Sequence, residues 1–250
     1  MARNLAALRS EIESALAGRV PAPFSDGIPK TVPRVSTGNS EADLLTGGLP
    51  RGGITEICGP NGSGRTSLLM SALAARTSEA EACAFIDAAD AFDQYSAQAT
   101  GVHLDRLLWV RCHHIDQALR ATDLVLHAGG FGLVALDLGE IPPETVRYVP
   151  LSVWFRFRRA VEHTPTIFLV LEQEPHAKTC ASMVLRMEME TAHWSKTTNG
   201  QQDRMREPHA CLYAGSCSRA EVVRSRAQPI SRADFGAMSV TLESTYGATG

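Results

Sequence analysis

The segment Gly59-Pro60-Asn61-Gly62-Ser63-Gly64-Arg65-Thr66 fits the phosphate-binding pattern G-x-x-x-x-G-[KR]-[ST]. It follows an apolar run at 54–58 that predicts a strand, and it precedes a run at 67–75 that predicts a helix. In this context the glycines let consecutive backbone N–H groups curl around a phosphate, and the helix adds its positive amino end. We therefore predict that these residues, together with Ser67, bind ATP or ADP.

Arginine at position 65 changes what this loop is expected to do. Lysine in this position is a compact charge that reaches between phosphates, whereas the guanidinium of Arg65 is a larger planar fork. Thr66 supplies a hydroxyl that predicts a contact with Mg²⁺. The loop thus indicates nucleotide binding, and Arg65 weakens the argument for fast hydrolysis.

Composition limits the class of protein. The chain has 250 residues, is 44% hydrophobic and carries a formal net charge of −3, so it can form one sizeable core but offers no bulk attraction to nucleic acid. Its six cysteines include no C-x-x-C pair and are expected to be reduced thiols. The amino terminus resembles no signal peptide, and no apolar run approaches the ~18 residues of a membrane span. These features predict a cytoplasmic protein.

The chain divides into two parts in this interpretation. Residues 1–33 contain an amphipathic helical pattern followed by a proline-rich linker, and residues 34–250 form one α/β domain. Apolar runs at 54–58, 82–86, 107–110, 133–138 and 166–171 predict strands buried on both faces of a mostly parallel sheet. Helical patterns occupy 115–128 and 151–161. Residues 191–209 are polar and predict a flexible insertion, and 221–224 and 238–242 predict antiparallel closing strands.

Short motifs recur in order along the rest of the domain. They read Ser36-Thr37-Gly38, Gly47-Gly48-Leu49-Pro50-Arg51-Gly52, Ala84-Phe85-Ile86-Asp87-Ala88, Gly101-Val102, Glu172-Gln173, Ala181-Ser182-Met183-Val184-Leu185 and Ser218-Arg219-Ala220-Glu221-Val222-Val223-Arg224-Ser225-Arg226. In this order and spacing they resemble the core of the bacterial recombinase RecA over roughly residues 34–245. The resemblance implies a RecA-like P-loop NTPase core, with a mostly parallel central sheet and helices on both faces.

Two further segments look more like a diverged RecA-like subgroup. They are Leu107-Leu108-Trp109-Val110-Arg111 and Phe131-Gly132-Leu133-Val134-Ala135-Leu136-Asp137. The subgroup includes ImuA, and its members are accessory proteins of bacterial damage-induced mutagenesis that work with a translesion polymerase. The chain is also shorter than a full recombinase.

The resemblance assigns roles to several residues. Asp137 would hold Mg²⁺ through water, and Gln173 would sense the γ-phosphate. Arg224 and Arg226 match basic residues that reach a neighbouring subunit's nucleotide in the family's filament. The family's water-positioning glutamate falls at Ala89, and the adjacent Asp90 could replace it only if the loop bends. We therefore expect nucleotide binding with weak or no turnover.

Contact with single-stranded DNA is left open by the sequence. Only residues 174–176 remain where recombinases carry a long DNA-binding loop. The counterpart of the other DNA loop interleaves arginines with aromatic residues, which is typical of a single-strand groove. Its candidate contacts are Arg147, Trp154, Arg156, Arg158 and Arg159. The alternative, which we favour, is a core helix with Trp154, Phe155 and Phe157 on its buried face.

Three functions are consistent with these features. The first is a nucleotide-responsive accessory module for a translesion polymerase assembly in the SOS damage response. The second is a DNA-dependent ATPase that forms head-to-tail filaments of RecA-like subunits on single-stranded DNA. The third is a scaffold that has lost its nucleotide. The first is the leading hypothesis. Turnover separates it from the second function, and nucleotide-dependent melting separates it from the third.

Overall fold

The computed structural model describes residues 32–196, 211–226 and 239–245. The predicted amino-terminal helix and most of its linker lie outside these residues, so the proposed division at residue 33 stays a prediction. Among the described residues, no helix is long and apolar enough to cross a membrane.

A twisted sheet of eight strands forms the centre of the domain, in the order β10-β9-β8-β3-β7-β6-β4-β5. Five of the seven strand pairs are parallel, and the two pairs at the β9–β10 edge are antiparallel. The strands are β3 (Gly53–Cys58), β4 (Cys83–Asp87), β5 (Leu107–Arg111), β6 (Leu133–Asp137), β7 (Ile167–Glu172), β8 (Ala181–Lys196), β9 (Cys211–Ser225) and β10 (Ser239–Thr245). A separate antiparallel pair joins β1 (Arg34–Val35) and β2 (Leu49–Pro50).

Helices cover both faces of this sheet. One face packs against α1 (Ser40–Thr46), α2 (Arg65–Ser78) and α3 (Gln94–Ala99), and the other against α4 (Ile115–Ala128), α5 (Pro143–Val146) and α6 (Leu151–Val161). The central strands β3, β4 and β7 are buried along their whole length, as expected for strands with helices on both sides. The predicted α/β fold with a mostly parallel sheet is confirmed.

The insertion predicted at 191–209 differs from the structure over its first six residues. β8 continues to Lys196 and pairs with the first part of β9, from Cys211 to Cys217. The stretch is polar because this outer ribbon of β8 and β9, which β10 extends at 215–217, is exposed at Thr191 and His193. Its cross-strand backbone bonds form without an apolar core. Residues 197–209 lie outside the described residues.

Candidate nucleotide-binding site

The glycine-rich loop connects the carboxyl end of β3 to the amino end of α2. Gly64 precedes the helix with a φ of +88°, a conformation that favours glycine. No described side chain caps the first turn of α2, so its N–H groups are available to an anion. Within the loop, Ser63 N–H donates to the Pro60 carbonyl at 3.1 Å. The loop therefore has the geometry of a phosphate cradle.

Two glycines of the loop are in close contact with the outer strands. A Cβ on Gly59 would clash with the backbone carbonyl oxygen of Met187 in β8. A Cβ on Gly64 would lie 2.6 Å from the hydroxyl oxygen of Ser218 in β9. Gly59 N–H also donates to the Glu172 carbonyl at the end of β7, at 3.3 Å. Glycine is thus required at both positions by packing as well as by ligand approach.

Asp137 and Gln173 lie beside the loop at the carboxyl edge of the sheet. Asp137 Oδ1 accepts from Gly139 N–H at 2.8 Å, and Gln173 Nε2 donates to the Gly139 carbonyl at 3.0 Å. Burial raises the pKa of Asp137 to about 6, and the Asp87 carboxylate adds to the rise. Asp137, the predicted metal ligand, and Gln173, the predicted phosphate sensor, therefore both bind the backbone of Gly139 and lie close together.

Arg65 points toward the same place. Its Nη2 donates to Asn61 Oδ1 at 3.0 Å, and its side chain is buried. Burial lowers the pKa of Arg65, and the nearby carboxylates of Asp137 and Glu140 oppose this change. Thr66, the other predicted metal ligand, is exposed at the start of α2. The loop, Asp137 and Gln173 thus form one site that has an arginine at its centre.

The loop after β4 carries the candidate replacement for the missing glutamate. Ala89 is exposed there, and the carboxylate of Asp87 accepts the N–H groups of Ala89, Ala91 and Phe92. Asp90 has a φ of +56°, and both its oxygens accept from Arg111, at 2.7 Å from Nε and 2.7 Å from Nη2. The loop does bend, but the bend turns Asp90 onto Arg111. Asp90 is therefore not available to position a water molecule.

Arg224 and Arg226 lie away from this site. Arg226 N–H donates to the Ser182 carbonyl, level with the start of β3, which is five residues before Gly59. At ~3.3 Å per residue the level of Arg226 lies roughly 17 Å from Gly59. Arg224 pairs with Val184, which is level with Glu56, so it lies roughly 10 Å from Gly59 along the strands and two strands to the side, also beyond the reach of its side chain. Both arginines are exposed, and the Arg224 guanidinium donates to the Lys178 carbonyl. They do not contribute to the nucleotide site of their own chain.

The candidate DNA contacts separate into buried and exposed groups. Trp154 is 1% exposed and packs edge to face on Phe157, so it cannot stack on a base. Phe155, expected on the buried face of the alternative helix, is instead 47% exposed. Arg156 donates to Asp123 of α4 at 2.7 Å, and Arg158 lies 3.8 Å from Glu162. The interleaved segment is therefore a core helix, as favoured, and the proposed aromatic groove is wrong at Trp154.

Exposed members of that segment lie before α6 and in its last turn. Arg147 stacks over the ring of Tyr148 at 5.8 Å, and Tyr148 is 77% exposed. Arg159 is exposed in the last turn of α6. These side chains are accessible to a partner, but they do not form a continuous stacking platform with Trp154.

A pair of buried glutamates beneath the loop was missed from the sequence. Glu56 of β3 and Glu172 of β7 are both fully buried and share a hydrogen bond. Glu56 accepts N–H groups from His176 at 2.8 Å and Ala177 at 2.5 Å, and His176 Nδ1 lies 2.9 Å from Glu172 Oε2. The sequence feature that could have predicted the pair is the single glutamate in each of the two apolar strands, because a buried charged residue needs a hydrogen-bond or ionic partner.

Burial dominates the protonation of this pair. It raises the pKa of Glu56 to about 9, and the hydrogen bond to Glu172 and its charge act in the same direction. It also raises the pKa of Glu172 to about 7, while the bond from Glu56 lowers it. The two carboxyl groups therefore share a proton. We assign it to Glu56 Oε2, because this buried atom has no other hydrogen-bond partner among the described residues.

We expect the free energy of unfolding to fall as the pH rises from 6 to 8. A carboxyl group with a raised pKa in the folded state keeps a proton that the unfolded chain releases above about pH 4.5. Between these two pKa values each such group lowers the free energy of unfolding by about 1.4 kcal/mol per pH unit. Glu56 contributes over the whole interval and Glu172 up to about pH 7. Urea unfolding at several pH values measures this slope.

The matched variants for this prediction are Glu56→Gln and Glu144→Gln. The amide of Glu56→Gln stays neutral and can still donate to Glu172, so the slope should decrease by about 1.4 kcal/mol per pH unit. Glu144 lies exposed on α5 and its replacement should leave the slope unchanged. A slope that is the same in wild type and Glu56→Gln would contradict the assignment of the shared proton.

The fold and the site together define a class of protein. A glycine-rich loop between a central parallel strand and a helix, with an aspartate at the end of a nearby strand, is the phosphate site of P-loop nucleotide-binding proteins. An open cleft of about 420 Å³ lies beside Gly59 and Pro60, and Gln173, Arg186 and Glu188 are among its lining residues. This volume lies within the range of ligand-binding sites.

Comparison with known proteins gives the family. The family model of the RecA N-terminal domain matches residues 8–142, more than half of the chain, and the chain therefore belongs to this family. RecA of Acinetobacter baylyi is 36% identical over 137 residues, which are 54% of this chain and 39% of the relative. RecA of Psychrobacter cryohalolentis is 40% identical over 105 residues, which are 41% of this chain and 30% of the relative. The matched part is thus well under half of each of these relatives.

Proposed function

We propose that this protein binds ATP or ADP at residues 59–67 and hydrolyses ATP weakly or not at all. The observation that carries this proposal is the pairing of an uncapped phosphate cradle with two altered catalytic positions. The cradle keeps its glycines and its free N–H groups, while Arg65 replaces the lysine and Ala89 the water-positioning acid. Positioning the water and stabilising charge on the γ-phosphate are the main contributions of a protein to phosphoryl transfer.

The wider role proposed is that of an accessory module in bacterial DNA repair and damage tolerance. In this role nucleotide occupancy, sensed through Gln173, would regulate a translesion polymerase assembly. The segments 107–111 and 131–137 support this subgroup, and they form β5 and β6 with the turn before β6. The buried position of Trp154 argues against strand exchange by a base-stacking loop. The exposed residues Tyr148 and Arg147 offer a surface for a protein partner.

Nucleotide-dependent thermal stabilisation tests the binding. Wild-type protein should melt several degrees higher with ADP or ATP, because a ligand at ~100-fold over its Kd adds ~2.7 kcal/mol. The variant Gly62→Val should lose this shift, since Gly62 has a φ of +79°, and a β-branched residue there would distort the backbone of the loop.

Gly129→Val is the matched control for Gly62→Val. Gly129 has a φ of +67° and no atom within 4 Å of its Cβ position, so it introduces similar backbone strain outside the site. It should lower the melting temperature but keep the nucleotide shift. No shift for wild type at millimolar nucleotide would contradict nucleotide binding and favour the scaffold function.

A second function is favoured by the position of Arg224 and Arg226. Both lie too far from their own cradle. They also belong to a cluster with Arg158: burial lowers the pKa of Arg226, and the positive charges of Arg158 and Arg224 lower it further. In a head-to-tail filament of DNA-dependent ATPases, such residues would act on the nucleotide of the neighbouring subunit. Sedimentation with ATP and single-stranded DNA separates the two functions. A filament-forming protein should pellet, and its Arg226→Ala variant should not. An accessory module should stay in the supernatant with or without this substitution.

A further inference from the structure

The Arg65 guanidinium is held in place and keeps one unused donor. The side chain is 6% exposed, and its Nη2 donates to Asn61, whose Nδ2 in turn donates to Glu140 at 3.3 Å. Nη1 is fully buried and has no hydrogen-bond partner among the described residues. A buried unpaired donor of a charged group costs free energy, so this atom is positioned for an acceptor that a ligand supplies.

The same guanidinium stands in front of Asp137. The Cβ position of Gly139 lies 3.0 Å from Asp137 Oδ1 and 3.3 Å from both Nη atoms of Arg65. The guanidinium and the carboxylate therefore border the same small space without an ion pair of 4 Å or less, and the charge of Glu140 acts on Arg65 as well. Arg65 supplies the positive charge that these two carboxylates require.

A magnesium ion on this side of Asp137 would compete with the Arg65 guanidinium for the same space. Mg²⁺ keeps most of its waters at ~2.1 Å, so an ion held by Asp137 through water would lie roughly 4 Å from the carboxylate. On the Gly139 side of Asp137, such an ion would lie in the same space that the Arg65 guanidinium borders. Two cations in this space would also repel each other. The predicted magnesium site at Thr66 and Asp137 thus disagrees with the geometry around Arg65.

We infer that Arg65 takes the place of the metal ion, so that this P-loop binds nucleoside di- and triphosphates without Mg²⁺. The planar fork suits two phosphate oxygens, with Nη1 as the available donor. The cradle N–H groups bind the anion, and Arg65 neutralises charge where a recombinase would use lysine and metal together. This inference rests on the proposed nucleotide binding and extends it to the form of the ligand.

Calorimetric titration with ADP, in Mg²⁺ and separately in EDTA, tests the inference. Wild type should show dissociation constants that agree within about threefold in the two buffers, a difference under 1 kcal/mol. Arg65→Lys should bind ADP in Mg²⁺ but lose about tenfold or more in EDTA, because the smaller ammonium vacates the space beside Asp137. Arg120→Lys, an exposed change on α4, should behave as wild type.

Each outcome decides one of the two proposals. Wild-type binding that weakens tenfold or more in EDTA would overturn the role of Arg65 and leave nucleotide binding intact. Equal metal dependence in wild type and Arg65→Lys would overturn it as well. Absence of ADP binding in both buffers would instead contradict the proposed function. The unliganded melting temperature of each variant identifies any loss that comes from misfolding.

Discussion

The double variant Ala89→Glu with Arg65→Lys is expected to hydrolyse ATP at least ~100-fold faster than wild type in the presence of Mg²⁺. Ala89 is exposed in the loop after β4, and β4 pairs with the strand that carries Asp137. A glutamate there can reach a water molecule at the carboxyl edge of the sheet. Lysine at position 65 frees the space beside Asp137 for the metal. The gain has two physical sources, a positioned nucleophile and charge stabilisation on the transferred phosphoryl group.

Phosphate release, with and without single-stranded DNA, measures this gain. Asp90→Ala is the matched control, since Asp90 is committed to Arg111 by two hydrogen bonds. Its loss should leave the low wild-type rate unchanged. A wild type that already hydrolyses ATP at the rate of the double variant, or a rate that falls in Asp90→Ala, would show that the bent loop supplies the catalytic acid after all.

Trp154→Ala is expected to lower the free energy of unfolding by about 3–5 kcal/mol, whereas Phe155→Ala should change it by less than about 0.5 kcal/mol. Trp154 is 1% exposed and continues into an aromatic stack in which Phe157 lies 5.7 Å from Phe168 of β7. Phe155 is adjacent in sequence but 47% exposed on the solvent side of α6. Urea unfolding of both variants measures the difference.

Trp154→Phe is the milder variant to measure if the Trp154→Ala protein does not fold. It keeps the aromatic contact with Phe157 and should cost only part of the loss. Single-stranded DNA binding by the same proteins gives a second comparison. Two results would contradict the core-helix interpretation and support a DNA-binding groove. One is a similar stability loss at positions 154 and 155, and the other is a selective loss of DNA binding in a stable Trp154→Phe protein.

Periodicity and motif order were sufficient to predict most of the fold. The helix bounds at 115–128 and 151–161 agree with the structure, because their apolar positions face the sheet at helical spacing. Continuous apolar runs predicted the buried parallel strands for the same reason. The ribbon of β8 and β9 was missed in part because cross-strand hydrogen bonds, rather than an apolar pattern, define its outer end.

The site was predicted less completely than the fold. Motif matching identified the loop, Asp137 and Gln173, since these are local in sequence. It could not show that Asp90 turns onto Arg111, that Arg65 lies beside Asp137, or that Glu56 and Glu172 share a proton. Each of these depends on two strands that are distant in sequence and adjacent in space, and on the rotamer of a long side chain.

The contacts of Gly59 with β8 and of Gly64 with β9 have a mechanical consequence. The loop cannot move toward these strands without displacing the Met187 carbonyl or the Ser218 side chain. Residues that open only together form one cooperative unit, with a free energy of local opening set by the strands rather than by the loop. We therefore expect the segment richest in glycine to open only together with β8 and β9, at the free energy of opening of those strands.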